Sequence, residues 1–220
     1  MTKKVMKVFT PSDLAALSKV ERLNLVNSCT GYKSANLIGT LSPEGHENVA
    51  VFSSITHLGS DPAMLGFIVR PTSVPRHTYQ NIKATGLFTV NHITLAQMEA
   101  AHQTSAAYDY GISEFEMTGL TPTYREGIAV PFVSGSPVQL LCRYLNEYPI
   151  HENNTIHVIA AIEAIYVEDA LVTPDGWLQL DRGDVVAING LDGYARPSLQ
   201  DRFAYARPKT PLKSLRPHAS

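Results

Sequence analysis

The stretch that decides the fold runs from Asn36 to His92. It reads Asn36-Leu-Ile-Gly-Thr-Leu-Ser42, Asn48-Val-Ala-Val-Phe-Ser-Ser-Ile-Thr56 and Ala63-Met-Leu-Gly-Phe-Ile-Val-Arg70. It continues Pro71-Thr-Ser-Val-Pro-Arg-His-Thr-Tyr-Gln-Asn-Ile82 and Gly86-Leu-Phe-Thr-Val-Asn91. Three apolar, β-branched runs are separated by turn residues. The pattern predicts strands over 35–42, 48–56 and 63–70, then a helix over 74–85 capped by Ser73, then a strand over 87–93. Pro43-Glu-Gly-His46 is a hairpin-type connection, and Asp61-Pro62 sets the turn after it. The run 63–70 is nearly all apolar, which predicts burial on both faces.

Working outward, Thr10-Pro11-Ser12-Asp13 and Ser18-Lys-Val-Glu21 are helix starts. Residues 10–30 therefore read as a helical lead-in packed on one face of a sheet. Thr94 caps a helix to about residue 103 that has room to continue to 111. Gly and Pro at 119, 122, 127, 131, 135 and 137 mark a loop region with short strands. Residues 137–144 and 156–168 are strands again. In the second, both faces are mostly apolar, which predicts cover by a barrel interior on one side and by a helix or a second subunit on the other. The tail from Gly190 is too polar for core and too aromatic for a free linker, so it is expected to wrap the surface or a partner chain. There is no repeat or boundary. Residues 1–220 read as a single domain with the lead-in (10–30) and a C-terminal extension (190–220). Hairpin-linked antiparallel strands with peripheral helices make the fold mainly β, a closed or partly closed barrel rather than a doubly wound sheet.

Composition limits the function classes. At 220 residues, 44% hydrophobic and 17% charged, the chain can bury a large core and is not a disordered one. Its net charge of -2, without a basic run, gives no electrostatic footprint for nucleic acid or an anionic membrane. The two cysteines, Cys29 and Cys142, form no CxxC or zinc spacing and read as two buried reduced thiols of a cytoplasmic protein. The basic N-terminus lacks the apolar stretch of a signal peptide, and no window approaches the ~20 apolar residues of a membrane span. The sequence has no GxGxxG after a strand, no GxxxxGK[ST], no HExxH and no GxSxG. The histidines, His57 and His92 included, show no metal-ligand spacing.

Two segments carry candidate chemistry. Ser53-Ser54-Ile55-Thr56 places hydroxyls and backbone N–H groups at a strand end, Ser53 on one face and Ser54 and Thr56 on the other. They suit the polar edge of a flat heteroaromatic ligand, or else are solvated hydroxyls where a strand frays. Arg70-Pro71-Thr72-Ser73 leads into a helix start with Arg76 and His77 in its first turn. A helix start favours an anion, and arginine offers a planar fork to phosphate oxygens. The alternative is ordinary capping by Ser73 with solvated arginines. His77 and Asn81 lie at i, i+4 on one helix face, either toward a ligand or toward solvent.

In their order, these parts resemble the flavin reductase-like, FMN-binding split-barrel family. The pieces are Leu37-Ile-Gly-Thr40, Asn48-Val-Ala with Phe52-Ser-Ser54, Asp61-Pro62, Arg70-Pro-Thr-Ser73, His77-Thr-Tyr-Gln-Asn-Ile82 and Gly86-Leu-Phe-Thr-Val-Asn91. The resemblance implies a six-stranded antiparallel Greek-key split barrel, working as a homodimer with flavin near the interface. It implies FMN, or FAD, as cofactor and NAD(P)H as co-substrate, with hydride transfer to flavin N5. Ser53, Ser54, Ile55 and Thr56 match the segment holding the ring and ribityl chain. Arg70, Thr72 and Ser73 match the phosphate segment, and His77, Asn81 and Tyr194 complete the implied cofactor set. One departure stands out. Reductases of this family often carry Gly-Asp-His before the long late strand, where this chain reads Glu152-Asn153-Asn154-Thr155, and the usual glycine within that strand is Ala160 or Ala161. That leaves a second reading open, a flavin- or other heteroaromatic-binding barrel without nicotinamide turnover. A third is an interaction protein with an empty barrel.

Overall fold

Two capping boxes start the chain. Thr10 caps helix α1 (Pro11–Ala16) and Ser18 caps α2 (Lys19–Cys29), each exchanging hydrogen bonds with the acid three residues on. The computed structural model describes residues 5–215. Residues 1–4 and 216–220, which include His218 and the end of the extension, lie outside the described residues. Strands β1 (Tyr32–Ser34), β2 (Asn36–Leu41), β3 (Glu47–Phe52), β4 (Thr56–Ser60) and β5 (Ala63–Val69) follow, then helix α3 (His77–Thr85) and strand β6 (Leu87–His92). A 3₁₀ turn capped by Thr94 leads into α4 (Met98–Gln103), followed by α5 (Glu114–Thr118), β7 (Pro122–Arg125) and β8 (Ile128–Val133). The long strands β9 (Val138–Ile150) and β10 (Thr155–Val167) form a hairpin, and β11 (Ala187–Asn189) and β12 (Gly193–Ala195) end the regular structure.

The main sheet has seven strands in the order β3-β2-β6-β9-β10-β5-β4, with every neighbouring pair antiparallel. Its two outer strands, β3 and β4, are consecutive in sequence and joined by residues 53–55 alone. Laid flat, seven strands would put those edges about 29 Å apart. Four residue steps reach at most about 14 Å. The sheet must therefore curl until its edges nearly meet, which makes it a split barrel. The structure shows seven strands in this sheet where the resemblance implied six. A second sheet, β1-β11-β12, and the pair β7-β8 lie outside it.

Alternation along β2 divides the core. Ile38 faces the barrel interior with Leu65, Phe67, Val69, Phe88, Val90, Cys142, Val158 and Ala160. Leu37 faces the other layer with Ile93, Ala101, Phe115, Val133 and Ile188. Two polar side chains inside this second interface are paired. Thr89 Oγ1 donates to the Pro131 carbonyl, and Asn91 donates to the Leu37 carbonyl and accepts from Val133 N. Under α3, Asn48 and Asn81 both donate to Thr40 Oγ1, and Asn48 also donates to Thr78.

Several expectations are corrected. The second strand ends at Phe52, so Ser53, Ser54 and Ile55 belong to the link, without strand alternation. The helix expected over 74–85 starts at His77 with Arg76 as its cap residue, and Ser73 does not cap it. Residues 71–75 stay irregular because Pro75 restricts the residue before it. The helix at 98 stops at Gln103, and β9 runs on to Ile150. The helical lead-in contributes no buried residue, with Leu23 and Val26 both exposed, so it does not pack into the sheet as expected. Cys142 is buried and Cys29 is exposed, not both buried. One face of β10 closes the barrel, and a bulge after Ile162 turns Ile165 to the same side as Leu140, where it is 57% exposed.

Two predictions test this packing. Gly39 lies where a Cβ would strike the Pro131 carbonyl oxygen and sit 2.7 Å from Thr89 Oγ1. Gly39→Ala is expected to cost about 1–3 kcal/mol by overpacking, read from urea unfolding. Glu114 is buried, accepts from Val49 N at 3.1 Å, and burial raises its carboxyl above the ordinary 4.5. A raised folded value means that the folded state binds the proton more tightly, so this residue's contribution is lost as pH rises from 4.5 through the folded value. Glu114→Gln keeps an acceptor and removes that loss. Its melting temperature relative to the parent is expected to rise between roughly pH 4 and pH 8.

Candidate functional site

The corner where the barrel edges meet gathers most of the predicted residues. Thr56 on β4 pairs with Gly66 on β5, and β5 runs from there directly into Arg70 and the 71–76 loop. Beyond Thr56 the backbone leaves the ladder, and a side chain takes over. Ser54 Oγ accepts from Ile68 N at 3.0 Å and donates to the Ile68 carbonyl at 3.3 Å. It stands in for a missing strand residue at the point where the ladder would otherwise leave Ile68 unpaired. On the other side, Ser34 Oγ donates to the Ile55 carbonyl. Residues 53–56 and 70–73 are thus held to opposite ends of the same short piece of β5.

Their side chains differ in availability. Ser53, Ser54 and Ile55 are half-buried, while Thr56, Arg70, Thr72 and Ser73 are exposed. Ser54 is committed to Ile68, and Ile55 packs on the barrel core. Among the described residues, none bonds the side chains of Ser53, Thr56, Arg70, Thr72 or Ser73. Arg76 does not reach outward. Its Nε donates to the Pro71 carbonyl at 3.2 Å and folds the loop back on α3. No side chain caps α3, so the N–H groups of its first turn keep their donor capacity.

Three predicted residues are placed elsewhere. Asn81 is buried, and its amide serves Thr40 beneath α3 instead of pointing outward with His77. His77 stacks edge-on to Tyr110, beside an open depression lined by Pro43, Glu44, Gln80 and Tyr110. Tyr194 lies on β12 in the second sheet, its hydroxyl 3.3 Å from His102 Nδ1. His92 is half-buried with its Nδ1 shut off from solvent, and this desolvation pushes its imidazole down to about 4. The residue that sequence reasoning missed is His157, on β10 opposite Ile68. Its place on one face of β10 was legible, but the strand register that carries it to this corner was not.

The arrangement defines a class: an antiparallel split barrel with a donor-rich corner at its open seam, able to hold an anion beside a flat polar ring. A profile described as flavin reductase like domain matches residues 32–185, and the chain belongs to this family. A candidate flavin reductase with a split barrel domain from Shewanella frigidimarina is 42% identical, with a TM-score of 0.88, over 91% of this chain and 100% of that one. Nitrilotriacetate monooxygenase component B from Bacillus cereus shares the fold at 20% identity, with a TM-score of 0.79, over 91% of this chain and 100% of that one. An FMN-binding protein from Thermus thermophilus does so at 15% identity and a TM-score of 0.66, over 93% of this chain and 100% of that one. In sequence, the chain is 29% identical to an uncharacterized protein of Halalkalibacterium halodurans over 61% of its own length, and spans 66% of that relative. No described helix is long and apolar enough to cross a membrane.

The Ser54 bridge makes a local prediction. Ser54→Ala removes both bonds to Ile68 and is expected to cost about 1–2 kcal/mol. Amide hydrogen exchange at Ile68 is expected to speed up more than at Phe67, which stays inside the β5 ladder.

Proposed function

We propose that this protein is a flavin-binding oxidoreductase. It holds FMN, with FAD as the bulkier alternative, and reduces it with NAD(P)H. The observation that carries the reading is the convergence of unpaired donors at the seam. Arg70, Thr72, Ser73 and the uncapped start of α3 suit a phosphate, and they adjoin a link whose hydroxyls and N–H groups suit the polar edge of a ring. Family membership supports flavin as the ligand that needs both.

Bound flavin supplies the hydride-accepting centre, and the protein supplies placement and electrostatics. Arg70, Thr72 and Ser73 anchor the phosphate group. Ser53, Thr56 and the backbone of 53–56 orient the ring and stabilise negative charge growing on it. Hydride transfer needs no side-chain acid or base, which fits a corner built from hydroxyls and one arginine. Exposed apolar side chains on the β9–β10 hairpin, Tyr148 on β9 and Ile165 on β10, support a homodimer that covers part of this hairpin and places flavin near the interface. The free thiols of Cys29 and Cys142 support a reducing, cytoplasmic setting.

One observation favours flavin binding without nicotinamide turnover: the β9–β10 turn reads His151-Glu152-Asn153-Asn154, without the Gly-Asp-His order before the late strand. An absorption spectrum from roughly 300 to 600 nm, before and after anaerobic NADH or NADPH, separates the readings. Bands near about 370 and 450 nm that bleach are expected of the reductase. Bands that persist leave a flavoprotein with another donor, and no bands after added FMN overturn the flavin assignment. Arg70→Ala combined with Ser73→Ala is expected to weaken FMN binding by about tenfold or more, because two donors to an anion are lost. Unchanged affinity sinks the phosphate assignment.

A further inference from the structure

We infer that His157 is a flavin-site residue: seated on Gly66 at the outer face of the barrel seam, its imidazole hydrogen-bonds the polar edge of the bound ring. This rests on the flavin reading above and names a residue that neither the motif nor the cysteine and carboxylate chemistry of the chain picks out.

The placement follows from register. On β5, Leu65, Phe67 and Val69 face the barrel interior, so Met64, Gly66 and Ile68 face outward. Directly paired residues share a face. His157 pairs with Ile68, Ile159 pairs with Gly66, and Gly66 pairs with Thr56. His157 and Thr56 thus lie on the same outer face, on strands flanking β5. Between them Gly66 presents bare backbone.

The imidazole occupies the space this glycine leaves. A Cβ at residue 66 would collide with His157 Nε2, and would also lie 3.1 Å from Leu58 Cδ1 and from the Val158 carbonyl oxygen. The glycine lets the ring lie down across β5 toward β4 instead of standing up from the sheet. Its nitrogen then lies about one strand spacing, roughly 5 Å, from Thr56. The ring is half-buried, yet no described residue bonds either of its nitrogens. A neutral imidazole offers one donor and one acceptor. The edge of an isoalloxazine ring carries both carbonyl acceptors and an N–H donor. Ile68, Leu58 and Ile159 supply apolar flanks, while Ser54 is tied to the Ile68 backbone. Among the described residues, the imidazole is therefore the unspent polar side chain that faces the link from the β10 side. The bland alternative is that the ring merely covers a glycine as packing.

The test is FMN titration of the full-length protein, followed by flavin fluorescence, with absorption spectra of the bound flavin. The proteins are the parent, His157→Leu, His157→Gln and Gly66→Ala, with circular-dichroism melts to check folding. His157→Leu keeps bulk and loses the hydrogen bond, so its FMN affinity is expected to fall about three- to tenfold. Its bound flavin bands are expected to shift. His157→Gln restores a donor and an acceptor and is expected to recover most of both. Gly66→Ala keeps the imidazole but lifts it off its seat, and is expected to resemble His157→Leu. If the parent binds FMN and His157→Leu binds it equally well with identical bands, the role of His157 is overturned and the flavin reading stands. If the parent binds no FMN, both are overturned. Should His157→Leu fail to fold, the comparison of His157→Gln with Gly66→Ala decides: equal parent-like affinity and bands in both overturn the proposal.

Discussion

The constraint on which the rest of the structure depends is the short link between Phe52 and Thr56. It joins the first and last strands of a seven-stranded sheet. No flat or gently twisted sheet satisfies so short a connection, so closure is a matter of chain length before it is a matter of packing. Once the sheet curls, its inner faces meet. Phe67, Phe88 and Phe52 then pack edge to face along the barrel.

The same link concentrates chemistry. A barrel that closes through three irregular residues leaves backbone groups at its seam without ladder partners. Ser54 satisfies those of Ile68 with one hydroxyl. The rest of the seam, and the loop from Arg70 to Pro75, keeps its donors unspent. A fold that needed only stability would pair or remove them, because an arginine and two hydroxyls ordered in a loop without partners add nothing to the folded state. Their juxtaposition with a bare glycine and an unpartnered histidine is what a ligand site requires of its scaffold.

Outside the barrel, the chain invests in surfaces it does not cover. The two N-terminal helices are well capped yet bury nothing. The extension folds back, with Ala204 donating to the Lys213 carbonyl and Leu215 to that of Arg202, while Tyr205 stays 91% exposed. Arg202 holds this arm to the body through Asp175 and by stacking over Trp177. It lies on the surface, as one of the two expectations for the tail had it. These elements and the β9–β10 hairpin expose apolar side chains such as Leu23, Val26, Tyr148 and Ile165, which supports the proposed dimer in physical terms.

Local chemistry determined much by itself. Capping boxes at Thr10 and Ser18, the turn at 43–46, the alternation along residues 36–41 and the antiparallel hairpin order are all short-range, so they could be read from neighbours in sequence. The ordered motifs from Leu37 to Asn91 marked the family, and Arg70, Thr72 and Ser73 stood out because a cation and hydroxyls before a helix are locally unusual. What only the tertiary structure decided is which distant residues share a face. Asn81 looked like a partner of His77, but a buried hydroxyl, Thr40, lay within its reach and claimed it. Tyr194 pairs with His102, and His157 arrives beside Thr56, through strand registers set by side chains far apart in sequence. A one-residue change of register would move each to the opposite face, and nothing within a few residues of any of them records which register wins.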